Sequence, residues 1–205
     1  MDFKDNILQL AERIKKQKDA IQTEEATKNA FIMPIITALG YDVFNPFEVV
    51  PKMDCDLTRK GDKIDYAIKK DGRTILLIEC KHCKQNLDLH NTQLSKYYAA
   101  SNARFGVLTN GIEYRFYADL AKTNIMDEKP FLVVNMLDLS DADIEEMKKF
   151  HKSCYNESEI FSTAKELQMM IQIKEILAKN FQSPGDEFTR YFVRSLNNGK
   201  STLFL

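Results

Sequence analysis

The feature that most constrains this chain is an apolar run that ends in charge. Ile75-Leu76-Leu77-Ile78 contains no polar residue, which is the pattern of a strand buried on both faces. It leads directly into Glu79-Cys80-Lys81. Alternation along a strand turns Glu79 and Lys81 to one face together and Cys80 to the other. A second short apolar stretch, Ile64 to Ile68, precedes it and is interrupted by Asp65. Lys70-Asp71-Gly72-Arg73 lies between the two, with Gly where a tight turn needs φ > 0. The stretch Lys63 to Lys84 therefore reads as two strands joined by a hairpin. Ionised groups at the end of a core strand are costly unless they are paired or hold a metal. Asp65, Glu79 and Lys81 thus become the candidate site.

Two carboxylates and a lysine in this arrangement suit metal-dependent phosphodiester hydrolysis. Asp65 and Glu79 are hard oxygen ligands for a divalent ion, in practice Mg²⁺, with water completing its octahedron. Such an ion polarises the scissile phosphate and lowers the pKa of the attacking water. Lys81, two residues from Glu79 on the same strand, is placed to orient that water or to stabilise developing charge. The competing reading is a solvated strand end in which Glu79 and Lys81 only pair with each other. Glu-x-Lys alone does not separate the two; the buried strand before it and Asp65 upstream favour the site.

The rest of the chain frames this hairpin with helices. Phe3, Ile7, Leu10 and Ile14 recur at helical spacing. Thr23 is a suitable N-cap for a second helix that buries Ala30, Phe31, Ile35 and Leu39 and stops at Gly40, with Pro34 as a local conflict that predicts a kink. Tyr41 to Val50 reads as loop and short strand, followed by a polar loop to Asp62. Leu87 to Asn102 reads as a helix with His90, Gln93 and Tyr97 on one face. Asn110-Gly111 within Arg104 to Tyr117 predicts a second hairpin, and Phe131 to Val134 one more strand. From Ser140, which opens a capping box with Asp143, the chain turns helical, with an apolar stripe at Ile160, Ala164, Leu167, Ile171 and Ala178. Ser183-Pro184 starts a last helix. About five strands among helices argue an α/β fold: a mixed β-sheet flanked by helices, with a C-terminal helical appendage. The expected division is 1–137 for the sheet domain and 138–205 for a helical extension that packs on the core or on a partner.

A net charge of −1 excludes a uniformly basic coat for nucleic acid. It hides a basic centre, since 59–84 has eight Lys/Arg against four Asp/Glu, and an acidic later part, since 138–159 has three Lys against seven. The acidic part is expected to lie out of any nucleic-acid path. No apolar stretch is long enough for a membrane span, and the N-terminus does not read as a signal peptide. The four cysteines, Cys55, Cys80, Cys83 and Cys154, make no disulfide framework, so a reducing cytoplasm is expected.

The segments IDYAI, ILLIECK and the helix carrying Gln93-x-x-x-Tyr97 resemble the PD-(D/E)XK nuclease superfamily. More narrowly, they are similar to the N-terminal nuclease domain of type I restriction enzyme R subunits. TEEATKNAFIMPIITALGYDVFNP also resembles the N-terminal region of that family and of its short stand-alone relatives. The likeness covers about residues 20–135. It implies a restriction-endonuclease-like fold, DNA as substrate and Mg²⁺ as cofactor. By position, Asp65 and Glu79 match metal ligands, Lys81 the catalytic lysine, and Gln93 and Tyr97 the family's helix motif. Glu24 best matches the family's helical acidic residue and would be a third ligand, with Glu25 as its rival. Lys63 and His82 flank the site as DNA-binding or supporting residues. The superfamily's Pro before the first Asp is replaced here by Ile64. No helicase follows within these residues, so translocation is not expected of them. Restriction-modification subunits are the implied partners, and a homodimer would place two sites on opposite strands.

Other signals weigh less. Cys80-Lys81-His82-Cys83 has zinc-knuckle spacing but lacks a second ligand pair, and Cys80 should face the core. His82 and His90 could touch phosphate. Tyr97 fits the aromatic core as well as a site contact, and Leu167, Met170 and Ile171 suit core or subunit interface. The reading is a Mg²⁺-dependent endodeoxyribonuclease domain of restriction type. The alternative is a non-cleaving DNA-binding or assembly module that retains the fold.

Overall fold

The computed structural model describes residues 2–54, 63–89 and 91–196. Two compact units emerge, Met1–Lys165 and Glu166–Leu205. Six strands form the sheet of the first unit: β1 (Val49–Asp54), β2 (Lys63–Lys70), β3 (Arg73–Cys80), β4 (Phe105–Thr109), β5 (Glu113–Ala118) and β6 (Leu132–Asn135). They lie side by side in chain order. Every neighbouring pair is antiparallel except β3 and β4, which are parallel. A parallel pair needs a crossover, and helix α4 (Asn91–Ala99) lies on it. The sheet is therefore mixed, as the sequence predicts. The short strand read before Val50 is β1, which begins at Val49 and extends through Asp54 into the stretch read as polar loop.

Local chemistry explains the turns. Asp71 (φ 52°) and Gly72 (φ 76°) are both left-handed, the geometry of a type I′ hairpin between β2 and β3. At Asn110-Gly111 the side chain supplies the turn: Asn110 Oδ1 accepts the N–H groups of Ile112 and Glu113 at 3.1 and 2.8 Å. Asn110 Nδ2 also donates to Gln85 O at 2.9 Å, which ties this loop to the segment just after β3.

On one side of the sheet, Leu94, Tyr97 and Tyr98 of α4 share a buried cluster with Ile64, Ala67, Leu77 and Leu108. Alternation sends Phe105 of β4 the other way. There it meets Phe150 edge-on at 5.5 Å, and Phe150 also packs on Phe116 at 4.9 Å. Tyr41 donates its hydroxyl to Phe150 O at 3.2 Å. Arg104 lies over the Phe161 ring at 4.5 Å. The first compact unit therefore takes in α5 (Asp141–Lys148), with its capping box at Ser140 and Asp143, and the opening turns of α6 (Glu157–Gln182).

The N-terminal helices are α1 (Phe3–Gln17), α2 (Glu24–Thr27) and α3 (Met33–Ala38), with one π-helical turn, Lys28–Ile32, between the last two. Thr23 Oγ1 caps α2 by accepting the Ala26 N–H at 3.1 Å. Pro34 has no N–H to offer Ala30 O four residues back, and the Arg13 guanidinium of α1 donates to that oxygen instead. The conflict at Pro34 thus resolves as a widened turn with a substitute donor.

In the second unit, α7 (Asp186–Leu196) follows α6 after Ser183-Pro184-Gly185, and Phe188 packs against Phe181 (5.6 Å) and Phe192 (4.9 Å). The apolar stripe of α6 is buried at Ile160 and Ala164, half-buried at Leu167 and Ile171, and exposed at Ala178. Cys55 and Leu203-Phe204-Leu205 lie outside the described residues. No described helix is long and apolar enough to cross a membrane.

Gly111 tests this packing. Its φ is +79°, and an added Cβ would stand 2.9 Å from Phe31 Cβ and 3.1 Å from Thr27 Cγ2. Left-handed strain and overpacking together predict that Gly111→Ala destabilises the chain by about 2–4 kcal/mol. Chemical denaturation of the two chains measures it, and an unchanged midpoint contradicts this packing.

Candidate active site

Asp65 stands near the start of β2 and Glu79 near the end of β3, and the antiparallel hairpin brings these two points together. Both are buried, Asp65 at 3% and Glu79 at 1% exposure. Two charges this far from water require partners, and the two find very different ones.

Asp65 is surrounded by donors. Its Oδ2 accepts the Cys80 N–H at 2.8 Å. Its Oδ1 carries two ammonium groups, Lys28 Nζ at 2.8 Å and Lys52 Nζ at 2.6 Å. Burial pushes the Asp65 carboxyl up, but hydrogen bonds from Lys28, Lys52 and the Cys80 N–H outweigh it and hold the pKa below its ordinary value. Lys28 is itself almost sealed and also meets Glu24 and Glu25, each at 2.9 Å. Burial alone would lower the Lys28 pKa; hydrogen bonds to Asp65, Glu25 and Glu24 raise it instead.

Among the described residues Glu79 has one hydrogen-bond partner. Lys81 Nζ donates to its Oε1 at 2.6 Å, while Oε2 is buried with no hydrogen-bond partner among the described residues. Burial, then the charge on Asp65, push the Glu79 pKa up to about 7, although Lys81 and Lys52 pull the other way. An orphaned, buried carboxylate oxygen beside a second carboxylate is a donor set of the kind a hard cation fits. Among the described residues no third His, Cys, Asp or Glu joins them as a metal-holding group. Mg²⁺ needs no third, because it keeps several waters and is commonly held by one or two carboxylates.

The strand end is fixed from both sides. Lys81 N–H donates to Thr109 O at 2.8 Å, which carries the β3–β4 pairing one residue beyond the strand. Cys83 N–H donates to Thr27 Oγ1 at 3.1 Å, so the helix that supplies Lys28 also anchors the loop after Lys81.

The residues singled out in the sequence fall into two groups. Asp65, Glu79 and Lys81 come together directly. Glu24 reaches Asp65 only through the Lys28 ammonium, and Glu25 does the same. Gln93 Nε2 contacts Lys63 O at 3.4 Å, two residues before Asp65, rather than reaching Lys81. Tyr97 is buried in the α4 cluster. Lys63 is exposed and pairs with Asp54 at 3.1 Å. His82 Nδ1 accepts the Lys84 N–H at 3.1 Å, and its Nε2 is buried without a hydrogen-bond partner among the described residues. Cys80 is fully buried, its thiol pKa pushed well up by burial, and Cys83 Sγ points at Lys18 O. His90 lies outside the described residues.

Two lysines were not singled out. Lys28 carries a signal in retrospect: it falls in line with Phe31 and Ile35, at i, i+3 and i+7 on the apolar face of its helix. Lys52 carries none, since it sits in a stretch with no helical or strand pattern.

The raised Glu79 pKa makes a prediction for Mg²⁺-free protein. Between pH 4.5, the ordinary value, and about 7, the folded chain holds a proton on Glu79 that the unfolded chain has released. Stability from this group is therefore greatest below pH 4.5 and falls as pH rises through 7. Glu79→Gln removes that loss, so the variant should exceed the parent chain at pH 8 by on the order of 1–3 kcal/mol and show no such gain near pH 4.5. Urea denaturation across this range measures the difference; parallel pH profiles contradict a desolvated Glu79.

Known proteins bear on this geometry at one point. No curated protein and no solved structure matches the chain. Residues 45–125 match the family described as the type I restriction enzyme R protein N terminus. The matched residues contain Lys52, Asp65, Glu79, Lys81, Gln93 and Tyr97 and exclude Glu24 and Lys28. Over these residues the chain resembles the N-terminal nuclease domain of type I R subunits, and it carries there a restriction-enzyme-related, nuclease-like module.

Proposed function

We propose that this chain is a Mg²⁺-dependent DNA endonuclease module of a restriction system. The observation that carries the reading is the Asp65–Glu79–Lys81 cluster: two buried carboxylates on adjacent strands, one with an unpartnered oxygen, and a lysine on the other oxygen. The family match supports the same class of module.

Asp65 and Glu79 would hold the ion, Glu79 offering the oxygen that has no hydrogen-bond partner among the described residues. Once held there, Mg²⁺ supplies charge to polarise the phosphate and acidify the attacking water. Lys81 needs no large movement, since its ammonium already lies against Glu79 at the strand end. From there it can hydrogen-bond the water or the phosphate oxygens and stabilise charge that grows in the transition state. Gln93, tied to the Lys63 carbonyl, steadies the start of the strand that presents Asp65. DNA is the substrate, the basic stretch around the site meets its phosphates, and restriction-modification subunits are the partners this class of module would serve.

A second reading has an observation of its own. Lys28 and Lys52 already neutralise Asp65 without any metal, as a DNA-binding or assembly module retaining the fold would require. Supercoiled plasmid incubated with and without Mg²⁺ separates the two. Nicking or linearisation that needs Mg²⁺ is expected, with Glu79→Gln and Lys81→Ala each slower by on the order of 10²-fold or more. DNA binding without cleavage under any divalent ion favours the second reading.

A further inference from the structure

The two ammonium groups on Asp65 Oδ1 are not equivalent. Lys28 is sealed, its side chain 3% exposed and held by three carboxylates. Lys52 comes from the edge strand β1, and its side chain is 54% exposed. The backbone at Lys52 is left-handed, φ 50°, between the regular pairs Pro51↔Tyr66 and Met53↔Ile64. A lysine rarely adopts that conformation, and here it accompanies a side chain directed at Asp65. Close by, Glu79 Oε2 is buried and has no hydrogen-bond partner among the described residues.

A divalent ion held between Asp65 and Glu79 needs a lone pair of the Asp65 carboxylate, whose Oδ2 accepts the Cys80 N–H and whose Oδ1 is shared by Lys28 at 2.8 Å and Lys52 at 2.6 Å. Two cations on one carboxylate oxygen repel each other. Lys28 cannot withdraw without leaving a charge buried, whereas Lys52 can turn its ammonium into water. We infer that Lys52 is an exchangeable cation of this site. It neutralises Asp65 while no ion is bound, yields when a divalent ion enters, and so sets the affinity for that ion. Lys28 stays in place and serves as permanent countercharge. Lys52 is thus a positioning residue for the ion; the inference rests on the metal-dependent reading above and concerns binding rather than cleavage.

The test is calorimetric titration of the purified chain with Mn²⁺ alone, without DNA. Lys52→Met keeps the apolar stem and removes the charge, and it should bind Mn²⁺ more tightly by on the order of five- to tenfold. Lys52→Gly suits the left-handed backbone, so it should tighten binding equally and remain folded where methionine does not. Thermal melts give an independent reading: each variant should gain more stability than the parent chain from the same Mn²⁺ concentration. Affinity unchanged or weakened in both variants, or no Mn²⁺ binding by any of the three chains, overturns the inference. Failure of the nuclease reading looks different. Tighter Mn²⁺ binding by the variants, with no plasmid cleavage by the parent chain, leaves the exchangeable lysine standing and removes the enzyme.

Discussion

A buried carboxylate has to be neutralised where it stands, and neutralising Asp65 draws together parts of the chain that are far apart in sequence. Lys28 comes from the turn after α2, Lys52 from β1 and the Cys80 N–H from the end of β3. Removing Lys28 would leave the buried carboxylates it holds without their sealed partner, at a cost of several kcal/mol, whereas Lys52 reaches the same oxygen from the exposed side. Glu24 and Glu25 follow from the same requirement, because Lys28, once buried, needs carboxylates of its own. The acidic start of α2 therefore serves as the outer layer of a charge network centred on β2. Its role as helix-start charge, favourable with the dipole, is compatible with that and smaller in energy.

The two central carboxylates depart from their ordinary pKa values in opposite directions. Asp65 has more positive charge around it than it needs, and its pKa falls. Burial first, and then the charge on Asp65, raise the Glu79 pKa to about 7, and Lys81 and Lys52 do not offset them. A pair of acids separated in this way can hold different protonation states near neutral pH, which is how environment assigns different roles to like residues. Here the consequence is asymmetric readiness for a cation. Asp65 is already occupied on both oxygens, while Glu79 keeps one oxygen open.

The hairpin and its charged ending were legible because they rest on short-range rules. Strand alternation, Gly72 in the turn and an apolar run ending at Glu79 place Asp65, Glu79 and Lys81 without any knowledge of the remaining fold. The helix of Gln93 and the Asn110-Gly111 turn were legible for the same reason. What could not be read was how charge is shared across elements. Lys28 beside Glu24 and Glu25 has the spacing of an ordinary solvated helix pair, and only its alignment with Phe31 and Ile35 hints at burial. Lys52 depends on a left-handed residue within an edge strand, which no local pattern around Pro51 announces. Gln93 shows the limit from the other side: the motif placed it on the correct helix, but its amide settles on the Lys63 carbonyl.

The position of Lys28 depends in turn on a proline. A regular α-helix through 24–38 would meet Pro34 with a missing N–H and a ring against Ala30 O. The backbone answers with a π-helical turn in which Met33 N–H reaches Lys28 O, five residues back, and Arg13 of α1 donates to Ala30 O. One extra residue in a turn rotates everything before it relative to everything after it, by roughly 100° on a helix of 3.6 residues per turn. Phe31, Ile32, Ile35 and Ile36 are all buried beyond or within this turn, while Thr27 and Lys28 at its start are buried as well, against Cys83 and Asp65. A single uninterrupted helix would have to satisfy both sets with one narrow stripe. The widened turn lets the second half face the apolar core while the first half presents a lysine to the site. A local backbone irregularity forced by Pro34 thereby becomes the means by which Asp65 obtains its sealed countercharge, consistent with the frequent placement of such turns at functional sites.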